Sequence, residues 1–391
     1  MISITDVLTL SSKLSYNFWE LSNALAHKPE VSSKEYNSSL LHTQTLEKFG
    51  FRIEKPFAAT QTAFRGTFGK RGPTLSFLIE YDALEGIGHG CGHNLSGALT
   101  SLSAVLLSRF APLLPPIKIT ALGTPSEEIG DFKAHLAEKG HLRGTDLALM
   151  AHVTSGKSNV SYRSLAMSTR DFCFTTGGKA LPWGQLMGPN PLGAFADFVK
   201  ALEKLQTQGP HGALVSGIVL NGEKDPFEAT SQITGRFVFC SAKKNLIDKF
   251  LEDVYKEASR IAQNRGLQTN HKIVGHDLWE FLPNRPAEEA LIPIFKSMHF
   301  EVEEDNEWSF EGASDAGNIS QICPMVHPFI SISKKPIQRH TKEFAEATKK
   351  PEAHKALVVG AAALAMLAME FASNEAFRIK IKNYFSDNKK K

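Results

Sequence analysis

An apolar segment, a glycine-rich loop and a helix-like segment follow one another between residues 74 and 110. Residues 74–79 (TLSFLI) have the length and apolar character of a buried strand, and Leu, Ala and Val recur at helical spacing over residues 95–110. The hexapeptide HGCGHN, residues 89–94, lies between them. Loops at the carboxyl ends of strands are where open α/β sheets bind ligands. This order therefore predicts an α/β unit with a candidate site in the loop.

The hexapeptide offers two metal-binding side chains. Cys91 and His93 are held one residue apart by a glycine. A thiolate and an imidazole at this spacing suit a zinc-like ion. For the motif alone two other interpretations stay open, namely a buried structural cysteine and a glycine turn with incidental histidines.

Composition excludes several classes of protein. The chain has 391 residues, of which 42% are hydrophobic and 22% charged, as is usual for a soluble globular protein of two domains. A net charge of +3 is too small to indicate a nucleic-acid partner. Residues 356–369 form the longest uncharged apolar stretch, which we predict to be too short for a membrane span and to form a buried core helix.

The four cysteines are scattered, which favours a reducing compartment, and we see no secretory signal at the N-terminus. A cytoplasmic protein is therefore the expectation.

The pattern of secondary structure changes twice along the chain. Alternating strand-like and helix-like segments up to about residue 168 predict an α/β fold, with a mainly parallel sheet flanked by helices. The next segment, with strand-like runs near 213–220 and 230–240, predicts an antiparallel α+β unit inserted into the first domain. We predict a catalytic domain from residues 1–168 and 279–391, and an inserted lid or dimerisation domain from residues 169–278.

Candidate metal ligands occur in four separate segments, each at or near the end of a predicted strand. Any lone histidine is more often structural than a ligand, and adjacent glutamates usually form a solvated surface. Four such segments in a chain with 14 histidines are less easily explained as background. They contain Cys91 with His93, Glu127 with Glu128, His152, and His340.

These segments resemble the aminoacylase and carboxypeptidase type of co-catalytic metallopeptidases. Within that family the chain is most similar to the branch of auxin-conjugate amidohydrolases, aminobenzoyl-glutamate hydrolase and β-alanyl-lysine-type dipeptidases. The resemblance covers nearly the whole chain. It rests on HKPE at residues 27–30, EYDAL at 80–84, HGCGHN at 89–94, GTPSEE at 123–128, His152, GASDAGN at 312–318, VHP at 326–328, and His340 with Phe344.

The resemblance implies a zinc-exopeptidase-like catalytic domain with two divalent metal ions, zinc or manganese. It implies Cys91, His93, Glu128, His152 and His340 as metal ligands. Glu127 would be the general base, and Asp82 would support the site as a hydrogen-bond acceptor. A strand-end turn cap remains an alternative role for Asp82. The implied activity is hydrolysis of a small dipeptide or N-acyl amino acid by a homodimer, with neither nucleic acid nor membrane as a partner.

The chain departs from the family where the inserted domain carries a histidine in a Gly-Lys-Ala-x-His stretch. Residues 177–183 (GGKALPW) have none. His211 could replace it, although a turn residue is the simpler interpretation. The family's substrate-binding features are also absent from residues 226–229 and 239–242. The alternative function is therefore a metal-binding family member with little catalysis, which serves as a ligand-binding or interaction module.

Overall fold

The computed structural model describes residues 2–178, 188–208, 212–222, 230–303 and 312–389. The helices are α1 (Ile4–His27), α2 (Tyr36–Lys48), α3 (His93–Phe110), α4 (Phe132–Glu138), α5 (Pro191–Gln208), α6 (Lys244–Asn264), α7 (Arg285–Ser297), α8 (Ala316–Ser320), α9 (Lys342–Ala347), α10 (Pro351–Ser373) and α11 (Glu375–Asn388). The strands are β1 (Arg52–Glu54), β2 (Phe64–Phe68), β3 (Thr74–Ile79), β4 (Lys118–Gly123), β5 (Leu147–Leu149), β6 (His152–Thr154), β7 (Ala166–Thr175), β8 (Leu214–Asn221), β9 (Gln232–Ser241), β10 (Gln268–Ile273), β11 (Met325–Val326) and β12 (Phe329–Ser331).

The chain forms two compact units, each with its own hydrophobic core. The first consists of Met1–Arg163, Phe281–Ser309 and Asn318–Lys391, and the second of Ser164–Glu280 and Phe310–Gly317. The second unit therefore contains three short pieces that we assigned to the catalytic domain, residues 164–168, 279–280 and 310–317. The first and last of these pieces are joined by the hydrogen bond from Leu165 N to Gly312 O, at 2.7 Å.

The first unit contains a six-stranded mixed sheet in the order β1-β2-β4-β3-β5-β11. The β4-β3-β5-β11 part is parallel throughout, whereas β1 and β2 are added antiparallel at one edge. This agrees with the predicted α/β fold. We did not predict β2, because its sequence FRGTF is short and places a charge and a glycine among its apolar residues.

Helix α3 packs against β3 and against α1 and α10. Its residues from His93 to Ser108 are all buried. Gly97 allows α3 to approach the end of β3 closely, because a Cβ there would lie 2.1 Å from the carbonyl oxygen of Glu80. The start of α3 is thereby held beside the end of β3.

Helix α10 corrects one prediction. Its 23 residues are long and apolar enough to cross a membrane by length and composition alone, so the segment is not too short. Of its most apolar window, however, 78% is buried inside the protein. The prediction of a buried core helix over residues 356–369 therefore agrees with the structure.

The second unit is a four-stranded antiparallel sheet in the order β10-β7-β9-β8, with α5 and α6 packed against it. Strand β7 alternates strictly between buried and partly exposed residues, as expected for a sheet covered on one face. The core is aromatic and includes Phe172, Phe174, Phe198, Phe237, Phe239 and Phe250.

Candidate metal centre

The predicted site residues lie near the ends of strands in the first unit. Cys91 belongs to the loop after β3, and His93 is the first residue of α3. Gly92 between them has a φ of +91°, and a Cβ there would lie 2.4 Å from Cγ2 of Val153. Only glycine fits this left-handed, crowded position, so the glycine orients both flanking ligand candidates.

His93 is fully buried and is fixed through one ring nitrogen. Its Nδ1 lies 3.0 Å from Oδ1 of Asp82 and 3.1 Å from the Asp82 carbonyl oxygen. Because only N–H can donate to these oxygens, Nδ1 carries the proton and Nε2 is left as a ligand atom. Nε2 has no hydrogen-bond partner among the described residues. It lies 3.6 Å from Glu127 Oε2 and 3.8 Å from Glu80 Oε2.

Asp82 joins three parts of the site. Besides receiving the His93 hydrogen bond, it accepts at Oδ2 from the hydroxyl of Ser32 at 2.8 Å and from the backbone N–H of Glu128 at 2.9 Å. The carboxylate is fully buried. Asp82 therefore connects His93 to Ser32 and to the backbone of Glu128, and none of these contacts caps its own strand-end turn.

Cys91 and His152 face each other. Sγ of Cys91 lies 3.4 Å from Nε2 of His152. Nδ1 of His152 donates to the carbonyl oxygen of Val153 at 2.7 Å, which leaves Nε2 as the ligand atom. The ligand atoms of Cys91, His93 and His152 all lie within 4.8 Å of one another, a separation at which one ion could bind all three.

Glu127 and Glu128 follow β4 on the short 3-10 helix Glu127–Ile129, and His340 approaches from the segment before α9. Nε2 of His340 lies 3.7 Å from Oε2 of Glu128. Two further groups have ligand atoms that all lie within 4.8 Å of one another. One consists of Cys91, Glu128 and His340, and the other of His93, Glu127 and Glu128. All six side chains predicted as ligands or base thus converge.

Burial makes this arrangement unfavourable for the bare protein. It raises the pKa of the Cys91 thiol to about 12 and that of the Glu128 carboxyl to about 7, and it lowers the pKa of His152 well below its ordinary range. A deprotonated thiolate and carboxylate so close together need a compensating positive charge. A divalent cation would supply it, and the buried Nε2 of His93 and Oε1 of Glu128 have no other hydrogen-bond partner among the described residues. The donor set therefore fits a metal centre.

A buried ion pair beside the candidate ligands was not expected from the sequence. Lys133 on α4 lies 2.9 Å from Oε1 of Glu80, and both side chains are buried. Glu80 belongs to the EYDAL motif, and its place at the end of an apolar strand was the signal that it is buried beside the ligands. Lys133 gave no comparable signal, because one lysine in an amphipathic helix is usually solvated.

The altered residues of the inserted domain fall only partly within the described ranges. Residues 179–187 lie outside the described residues, as do His211 and residues 226–229. Residues 239–241 end strand β9, where Phe239 is buried in the core of the second unit.

Comparison with known proteins identifies the family. The sequence is 30% identical over 377 residues to Xaa-Arg dipeptidase from Homo sapiens. The aligned region covers 90% of this chain and 84% of that protein. It is 23% identical over 296 residues to one of the subunits of p-aminobenzoyl-glutamate hydrolase from Escherichia coli, covering 70% of this chain and 61% of that protein. No protein-family model matches the sequence.

Solved structures share the fold. A dinuclear metal-binding peptidase of the M20 family from Bacillus subtilis superposes with a TM-score of 0.70 at 17% identity, over 92% of this chain and 99% of that one. The aminobenzoyl-glutamate utilization protein from Klebsiella pneumoniae gives a TM-score of 0.75 at 14% identity, over 94% and 98%.

The chain belongs to the same family as Xaa-Arg dipeptidase, as the resemblance to the aminoacylase and carboxypeptidase type of metallopeptidases implied, and it shares its fold with a peptidase of the M20 family. Relatives named as peptidases and hydrolases support an enzyme, and not the alternative of a metal-binding module with little catalysis.

Proposed function

We propose that this chain hydrolyses the amide bond of a small dipeptide or N-acyl amino acid, with two divalent cations held by Cys91, His93, Glu128, His152 and His340. The observation that carries the proposal is the overlap of the three groups of ligand atoms. Cys91, His93 and Glu128 each belong to two groups. The overlap brings ligands for two neighbouring ions together: the thiolate of Cys91 or the carboxylate of Glu128 can bridge two ions, whereas the one free nitrogen of His93 binds a single ion.

The side chains around this centre have different roles in the proposed reaction. Two bound cations would supply Lewis-acid polarisation of the scissile carbonyl and acidify a water molecule. Glu127, whose Oε2 lies 3.6 Å from His93 Nε2, is close enough to take the proton of that water and return it to the leaving nitrogen. Asp82 holds the imidazole of His93 in the tautomer that keeps Nε2 free of a proton.

The metal and the substrate follow from chemistry and from relatives. A thiolate with imidazoles favours zinc, whereas the carboxylates suit manganese as well, so either ion is proposed. Because the human relative is named Xaa-Arg dipeptidase, we propose dipeptides with a carboxyl-terminal arginine as the first substrates to test.

Hydrolysis of a substrate panel tests this proposal. The zinc-loaded and manganese-loaded protein would be incubated with alanyl-arginine, β-alanyl-lysine and N-acetyl amino acids, and released amine would be measured. We expect hydrolysis that disappears on chelation and returns with added metal. The absence of hydrolysis across the panel by fully metal-loaded protein would refute the proposal.

We also propose a homodimer formed through strand β8. This strand lies at the edge of the described antiparallel sheet, and it exposes Leu214, Ile218, Val219 and Leu220. An exposed apolar edge strand is a template for pairing with a second copy. A cytoplasmic location remains a prediction, supported by the free thiols of the chain's four cysteines.

A further inference from the structure

Glu35 is a buried carboxylate in the loop before α2, and the proposed mechanism gives it no role. Its Oε1 accepts hydrogen bonds from the backbone N–H groups of Ser33 and Ser126, both at 2.9 Å. The residue has no solvent exposure. A carboxylate is retained in such a place only where hydrogen bonds compensate for the loss of water.

Both residues bound by Glu35 have a left-handed backbone. The φ angle is 68° at Ser33 and 64° at Ser126. Residues other than glycine adopt this conformation only where their surroundings hold them in it. The two turns also contact each other, because Ser33 N donates to Oγ of Ser126 at 3.0 Å and the two hydroxyl oxygens lie 3.1 Å apart. Glu35 therefore links two strained turns that are distant in sequence.

The turn at Ser126 directly precedes the two glutamates of the metal centre. Ser126 is the residue before the 3-10 helix Glu127–Ile129 and sets the direction in which that helix starts. A change of its φ would rotate both Glu127 and Glu128. Ligands and bases tolerate little displacement, since a shift of about 1 Å can reduce a rate roughly 100-fold.

The turn at Ser33 reaches the same centre by a second route. The preceding residue, Ser32, donates through its hydroxyl to Oδ2 of Asp82 at 2.8 Å. The same oxygen accepts from Glu128 N at 2.9 Å. The two turns are thus joined at one point by Glu35 and at another by Asp82.

We infer that Glu35 is a positioning residue for the metal centre, which fixes the left-handed turn from which Glu127 and Glu128 project. The inference rests on the proposed function for its catalytic consequence, but its consequence for metal binding is independent of hydrolysis.

The positioning role of Glu35 depends on its acceptor oxygen Oε1 and not on the charge of its carboxylate. Burial raises the pKa of Glu35 to about 7, and the nearby charge of Asp82 adds to the rise. Oε2 is buried without a hydrogen-bond partner among the described residues, so it is the oxygen that carries the proton in the acid form. Oε1 accepts from both backbone N–H groups in either form. Glutamine keeps a carbonyl oxygen, so it should preserve both hydrogen bonds when it is substituted for Glu35.

Three variants test the inference. Glu35→Gln keeps an acceptor, whereas Glu35→Met has similar length and none. The matched control is Glu30→Met on the same loop, because the Glu30 carboxylate accepts from the backbone of Asn37 and Ser38 in α2 rather than from either turn. For each folded variant the dissociation constant for zinc would be measured by competition with a chelating dye, together with kcat and KM for alanyl-arginine.

We expect Glu35→Met to weaken zinc binding and lower kcat by roughly tenfold, with KM little changed, as for other residues that orient ligands. Glu35→Gln should stay within about threefold of the wild type, a difference below 1 kcal/mol. Glu30→Met should match the wild type in zinc affinity and in kcat. Wild-type zinc affinity in Glu35→Met, or equal losses in Glu35→Gln and Glu35→Met, would overturn the inference.

Two further outcomes are decided by the same measurements. If Glu35→Met does not fold, as judged by circular dichroism, Glu35→Asp replaces it, because the shorter side chain withdraws the acceptor from the backbone N–H groups of Ser33 and Ser126. Unchanged zinc affinity in Glu35→Asp would then overturn the inference. If the wild type cleaves no substrate, the proposed function fails, while the zinc affinities still decide the role of Glu35.

Discussion

At the scale of the residue, two adjacent glutamates occupy different environments. Glu128 is held from both sides, since its N–H binds Asp82 and its Oε2 lies 3.7 Å from His340. Glu127 points instead toward Nε2 of His93. Consecutive residues project in different directions from a 3-10 helix, so one carboxylate can bind a cation while its neighbour remains able to move a proton.

We expect Glu127→Gln to abolish nearly all hydrolysis and to leave metal content unchanged, because Glu127 transfers the proton without holding the ions. Glu128→Gln should instead lower metal occupancy, because it removes a ligand. Metal analysis beside kinetics on each dialysed variant distinguishes the two. Equal metal loss in both variants would show that the roles are assigned wrongly.

Asp82 provides a second test at this scale. Asp82→Asn keeps the size of the side chain but replaces one acceptor oxygen by a donor, which conflicts with the donors that surround it. We expect metal affinity to fall roughly 10- to 100-fold. Ser32→Ala is the control, since it removes one donor and leaves the bond to His93. Titration with zinc measures both, and equal affinities in Asp82→Asn and the wild type would exclude the supporting role.

The candidate site could be predicted from sequence to the extent that its residues have distinctive chemistry. Cys91, His93 and the paired glutamates are unusual at strand ends, whatever surrounds them. Glu35 and Ser126 look like ordinary loop residues, because their importance comes from backbone angles and from contacts between distant segments. Backbone angles and contacts between distant segments cannot be predicted from composition or periodicity.

At the scale of the element, α4 is tied to the end of β3 by a buried ion pair. Lys133 and Glu80 lie 2.9 Å apart with almost no exposure. Removing one partner of such a pair leaves the other charge uncompensated in a medium of low polarity. The pair also supplies a compensating charge for Glu80, whose Oε2 lies 3.8 Å from Nε2 of His93.

We predict that Lys133→Met lowers the free energy of unfolding by roughly 3–5 kcal/mol, because Glu80 loses its buried partner. The double variant Lys133→Met with Glu80→Gln should be more stable than this single variant, since no buried charge then lacks a partner. Urea unfolding of the metal-free protein gives both values. A double variant less stable than Lys133→Met would contradict the argument.

The elements predicted well are those with strong periodicity. Helix α3 and strand β3 lie close to their predicted bounds, since long apolar runs determine them. Strands β2 and β10 were not predicted. Both are short and rich in polar residues, and their strand conformation comes from pairing with β4 and β7 rather than from local preference.

At the scale of the whole molecule, strand β8 at the edge of the second unit's described sheet exposes apolar side chains. Leu214 and Ile218 on β8 are 60% and 63% exposed, although most apolar residues of the unit are buried in its core. Soluble proteins usually protect such edges with charged residues or proline. Antiparallel pairing with β8 of a second copy would extend the sheet and bury these side chains.

We therefore expect the wild type to have about twice the monomer mass of 43.0 kDa in sedimentation equilibrium at micromolar concentration. Ile218→Lys should produce a monomer that is still folded by circular dichroism, because a charge on the edge opposes pairing while Ile218 is largely exposed in the single chain. Leu192→Lys is the matched control, since Leu192 is 56% exposed in the same unit but lies on α5. It should remain dimeric. A monomeric wild type, or a dimeric Ile218→Lys, would exclude β8 as the dimer interface, because the edge strand could then not be what joins two copies.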